Sequence, residues 1–117
     1  MTEQAQTRTD ELAARLCNNL GYLLKAQGDY VGARPYYERA LAITEHTLGP
    51  LHPNTAHSLN NLAILCYHEG NIAEAARLMR RALTIREQVL GSAHPNTVSS
   101  RGSLTVIEKR LGGEVNR

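Results

Sequence analysis

His52-Pro53-Asn54-Thr55 returns unchanged as His94-Pro95-Asn96-Thr97, 42 residues further along the chain. Each copy closes a longer string, Leu48-Gly49-Pro50-Leu51 before the first and Leu90-Gly91-Ser92-Ala93 before the second. Outward from there, Leu12 to Thr55 falls on Asn54 to Thr97 with 18 identities in 44 positions. They include Asn18/Asn60, Asn19/Asn61, Leu20/Leu62, Gly28/Gly70, Ala33/Ala75, Ala40/Ala82 and Leu48/Leu90. Such a period marks an array of supersecondary units. A third copy starts, with Leu62 mapping to Leu104 and Gly70 to Gly112. The 117 residues thus read as two and a half copies of one 42-residue unit.

Each unit reads as two helices. Leu16, Leu20, Leu23 and Leu24 repeat at helical spacing and are expected to face the core, up to Gly28-Asp29. Gly28 suits the left-handed position after a helix, and Asp29 suits the next N-cap. Asn71-Ile72-Ala73-Glu74 has the form of a capping box. The second helices carry Ala33, Tyr37, Ala40, Leu41, Thr44 and Leu48, then Ala75, Met79, Ala82, Leu83, Arg86 and Leu90. Pro35 is expected in the first turn of its helix, and Pro53 and Pro95 where a first turn accepts proline. The expected helices are Thr9–Gln27, Tyr30–Leu48, Asn54–Glu69, Ile72–Leu90 and Asn96–Leu111, with no strand pattern. Residues 1–8 are expected as a flexible N-terminus. The array spans 9–111, with repeat one about 9–50, repeat two about 51–92 and a half repeat or capping helix about 93–111. Residues 112–117 are expected as a tail, with Gly112-Gly113 as the inter-helix turn.

Composition agrees. Sixteen Leu and fourteen Ala, with five Tyr and no Phe or Trp, favour an all-α protein whose helices approach closely. Scattered basic residues and a net charge of +2 leave no stripe for nucleic acid. No apolar run is long enough to span a membrane, and Met1 to Arg8 lacks a secretory h-region. Cys17 and Cys66 sit in apolar patterns and are expected as buried free thiols, which points to a reducing, cytoplasmic setting.

The strings Leu20-Gly21, Gly28, Ala33, Tyr37, Ala40 and Leu62-Ala63, Gly70, Ala75, Met79, Ala82 resemble the tetratricopeptide repeat. The 42-residue period resembles the variety found in kinesin light chains. Cys17 and Leu59 replace the usual Trp of the first helix. The resemblance covers about Asp10 to Gly112 and implies a right-handed α-solenoid of antiparallel helix pairs, about two and a half units in five helices. Small residues at Gly21, Ala33, Ala40, Ala63, Ala75 and Ala82 are expected where helices touch.

The resemblance also implies a concave face lined by the first helices. With the leucines inward, that face carries Arg15, Asn18, Asn19, Tyr22, Lys25 and Ala26. Repeat two adds His57, Asn60, Asn61, Ile64, Tyr67 and His68, and the half repeat adds Ser99, Gly102, Ser103, Val106, Lys109 and Arg110. This stripe is expected to be free of carboxylates and to suit a protein or peptide partner with acidic residues and one bulky apolar side chain. The peptide-contacting set is Arg15, Asn19, Tyr22, Lys25, His57, Asn61, Ile64, Tyr67, His68, Val106, Lys109 and Arg110. Asn19 and Asn61 bond either a neighbouring helix or, as the resemblance implies, ligand backbone. For Asn18 and Asn60 the structural role is favoured. The lysines and arginines of the carboxylate clamp do not line up.

His52 and His94 are expected to cap or pack, and no zinc spacing arises. No nucleophile–base–orienter set and no phosphate loop stand out, so neither catalysis nor a cofactor is expected. The alternative to a peptide-binding module is a structural or oligomerisation segment of a longer array. It would self-associate through an apolar C-terminal edge of Leu104, Ile107 and Leu111, unless that last helix acts as a solvating cap.

Overall fold

The computed structural model describes residues 2–115. Five helices follow one another: α1 Glu3–Ala26, α2 Tyr30–Thr47, α3 Pro53–His68, α4 Ile72–Leu90 and α5 Pro95–Val115. Helices α1 with α2 and α3 with α4 form the two pairs, and α5 packs against α4, making an all-α solenoid with no strand among the described residues.

Local chemistry sets the ends. At Gly28 the backbone turns left-handed (φ +83°), and the Asp29 N–H donates to the Leu24 carbonyl at 2.9 Å. Gly70 (φ +86°) and the Asn71 N–H to the Cys66 carbonyl repeat the device. Asp29 caps α2 by accepting from the Gly32 N–H at 2.8 Å. His52 and His94 act as caps: each ring Nδ1 accepts a backbone N–H two residues on, Asn54 at 3.0 Å and Asn96 at 3.1 Å.

Several expectations are corrected. Helix α1 starts at Glu3, so residues 3–8 are helical rather than part of a flexible N-terminus. The Thr2 hydroxyl caps α1 by accepting from the Ala5 N–H at 3.1 Å. The capping box does not form: Asn71 makes no side-chain cap bond, its N–H donates to the Cys66 carbonyl, and Glu74 accepts two charge-assisted bonds of 3.0 and 2.6 Å from Arg77. Pro35 lies six residues into α2, in its second turn, without breaking the helix. Its side chain and that of Val31, whose carbonyl it leaves without a helical donor, are both exposed. Helix α5 runs through Gly112-Gly113 to Val115, and neither glycine takes the left-handed turn that Gly28 and Gly70 make after α1 and α3.

The core lies between the repeats: Tyr37, Leu59, Leu62, Leu65, Cys66, Leu78, Met79, Ile85, Leu104 and Ile107. Ala33, Ala40, Ala63, Ala75 and Ala82 are fully buried, as the stacking requires. Gly21 is buried too, and a Cβ there would lie 2.8 Å from the Tyr37 ring. Cys17 and Cys66 are buried free thiols.

The leucines of α1 do not behave as expected. Leu16 (54% exposed), Leu20 (44%) and Leu23 (57%) face outward with Leu12, and only Leu24 packs against the core. In repeat two their counterparts Ser58, Leu62 and Leu65 are buried. Those residues belong to α3, which packs against the preceding α2, whereas α1 has no helix before it among the described residues. The opposite edge is also corrected. Leu104 and Ile107 are buried in the core and Leu111 packs partly on it, so these three do not form an exposed C-terminal edge.

Candidate functional site

Six of the twelve expected contact residues line two separate hollows. The first is a polar pocket of about 200 Å3, lined by Glu11, Ala14, Arg15, Asn18, Asn19, Thr44, Leu48, Asn54 and His57. It brings together Arg15, Asn19 and His57 from the expected set. It also adds Glu11, so the stripe is not free of carboxylates. Glu11 precedes Arg15 by one helical turn on the same face, a spacing visible in the sequence. Thr44 and Leu48 were visible only as seam residues of α2.

Asn18 is buried at this pocket, where its Nδ2 donates to Ser58 Oγ at 3.3 Å, the structural role expected of it. Its Oδ1 is buried with no partner among the described residues. His57 Nε2 lies 3.4 Å from Asn61 Nδ2, so Asn61 meets a side chain of its own helix. Burial, with a smaller push from Arg86, holds the His57 pKa below its usual value.

The second place is an apolar hollow of about 170 Å3 between α3 and α5, lined by Ile64, Tyr67, Ser103, Val106 and Ile107. The Arg110 guanidinium lies over the Tyr67 ring, 4.9 Å from its centre. His68 stacks on Tyr30 at 5.9 Å and meets Tyr67 edge-on at 5.7 Å. Tyr22 is exposed with the Lys25 ammonium 5.5 Å from its ring centre, and partial burial lowers the Lys25 pKa. Lys109 is exposed on α5. Tyr22, Lys25, Asn61, His68, Lys109 and Arg110 line neither hollow. Among the described residues no group of three His, Cys, Asp or Glu could hold a metal, and no helix is long and apolar enough to cross a membrane.

Two stacked helix pairs and a fifth helix, with a polar pocket between α1, α2 and α3 and an apolar hollow between α3 and α5, define a helical-repeat protein, of a class that generally mediates protein–protein interaction. The tetratricopeptide repeat pattern matches residues 12–88 and again 60–113, and the chain belongs to that family. The crystal structure of BtubC (BKLC) from P. vanneervenii is similar, with 28% identity over 85% of this chain and a TM-score of 0.79. This likeness supports the kinesin-light-chain-like repeat type. The matched region is 40% of the BtubC chain. No curated protein sequence matches the chain.

Proposed function

We propose that the chain holds an extended segment of a partner protein along the face of α1, α3 and α5, and that the segment carries acidic residues beside one bulky apolar side chain. The carrying observation is the apolar hollow at Ile64, Tyr67 and Val106, with Arg110 over the Tyr67 ring and Lys109 exposed on α5. An apolar anchor in a desolvated hollow supplies affinity, and cations around it supply selection and on-rate. On this reading the chain acts by binding and not by catalysis. Two buried free thiols favour a reducing compartment, the cytoplasm.

Titration with acidic peptides containing an aromatic or leucine residue tests the reading. Affinity should fall as salt rises, and Lys109→Glu with Lys25→Glu should weaken binding by roughly tenfold or more. Unchanged affinity in that pair would remove the acidic-ligand part. Val106→Asp losing nothing would remove the hollow.

A second reading rests on a different observation, the exposed leucine face of α1. A second copy of the chain seated on Leu12, Leu16, Leu20 and Leu23 would make the molecule an assembly segment.

A further inference from the structure

The two repeats differ at one seam position, and the difference has a chemical consequence. Arg86 of α4 stands 42 residues after Thr44 of α2. Only 6% exposed, its Nη1 donates to the Asn96 carbonyl at 3.3 Å and to Ser100 Oγ at 2.7 Å. Asn96 and Ser100 are the repeat-two counterparts of Asn54 and Ser58. Repeat two therefore carries a guanidinium cradle filled by its own arginine.

In repeat one the corresponding seam residue is the short Thr44, and an open polar pocket of about 200 Å3 lies there, lined in part by Thr44 and Asn54. Ser58 Oγ accepts from Asn18 Nδ2, the acceptor role that Ser100 plays for Arg86. The Nδ2 end of the Asn18 amide is thereby satisfied. The other end, Oδ1, is a buried acceptor with no partner among the described residues, on a side chain only 9% exposed. A buried amide oxygen without a donor is costly, and a multi-pronged donor is what such a site selects.

We propose that the pocket between α1, α2 and α3 receives the guanidinium of an arginine side chain presented by a partner protein, with Asn18 Oδ1 and the Asn54 carbonyl as acceptors. Glu11 supplies a carboxylate on the wall, and the only cation of the lining, Arg15, is exposed at the rim. Arginine fits better than lysine, because its planar fork serves two separated acceptors at once. The proposal rests on different observations from the acidic-ligand reading, whose carrying observation is the hollow between α3 and α5.

The test uses the full chain and a capped Gly-Arg-Gly peptide, with citrulline and glutamate peptides as comparisons, read at the Asn18 side-chain amide by NMR. The arginine peptide should shift that signal saturably, with affinity at least about tenfold above the citrulline peptide. Thr44→Arg, which restores the repeat-two arrangement in cis, should abolish binding and raise the melting temperature. Equal response to citrulline or glutamate, or undiminished arginine binding in folded Thr44→Arg, would overturn the proposal. If Thr44→Arg does not fold, Asn18→Asp decides. A carboxylate at that position should tighten the arginine peptide about tenfold, and unchanged or weaker binding overturns the assignment.

Discussion

Gly21 and Tyr37 show how single residues set the spacing of the first pair. A Cβ on Gly21 would sit 2.8 Å from both Cδ1 and Cε1 of the Tyr37 ring, and that ring is fully buried. Gly21→Leu should therefore destabilise by about 1–3 kcal/mol, measured by thermal or urea unfolding. Tyr37 carries a second lesson. Its hydroxyl is buried without a hydrogen-bond partner among the described residues, and burial pushes its pKa up. Tyr37→Phe removes that desolvated hydroxyl and keeps the ring, so its melting point should stay level or rise; a clear fall would show that the hydroxyl is satisfied. His57 gives a pH dependence. Its folded pKa lies below the ordinary 6.5, so the unfolded chain takes up the proton first as pH drops. The His57 contribution is full above pH 6.5 and is lost as pH falls through the folded pKa. His57→Gln should flatten that part of a stability-against-pH curve. Ala33, Ala40 and Gly21 were legible in the sequence because they recur at the contact positions. The open pocket was not. It arises from a difference between repeats, Thr44 against Arg86, and from burial that only three packed helices create.

At the scale of the helix, the inter-repeat turns were legible wherever glycine and a capping residue occur together, as at Gly28-Asp29. Periodicity failed at the ends. Residues 3–8 show no apolar rhythm, yet Thr2 supplies the cap and the chain follows it into α1. Glu74 fits a capping box by spacing alone, but a cation three residues on competes for the same carboxylate and wins. Two substitutions separate turn glycines from helix glycines. Gly70 sits at φ +86°, so Gly70→Ala should cost about 1–2 kcal/mol. Gly102 is inside α5 with nothing within 4 Å of a new Cβ, so Gly102→Ala should stabilise by about 0.5–1 kcal/mol. Chemical denaturation of both variants should give opposite signs; a loss at Gly102 would mean that α5 is not helical there.

Translation by one repeat explains the whole molecule, including the face that the sequence placed wrongly. Apolar spacing identified Leu16, Leu20 and Leu23 as a seam, but a seam is buried only where another helix meets it. Their counterparts Ser58, Leu62 and Leu65 are buried in α3, which packs against α2; those of α1 stay about half exposed. With Leu12 they form one stripe at spacings of 4, 4 and 3, while the opposite end of the array, α5, buries its own Leu104 and Ile107. Two α1 stripes facing each other about a two-fold axis would cover the four exposed leucines of α1 at once, the isologous arrangement that closes without further growth. Sedimentation velocity over a range of concentrations should then show a monomer–dimer equilibrium. Leu16→Glu with Leu20→Glu should hold the protein monomeric while leaving its melting point nearly unchanged, because neither side chain supports the core of one copy. A wild type that stays monomeric at the highest concentration would remove the assembly reading and leave the groove as the chain's interaction surface.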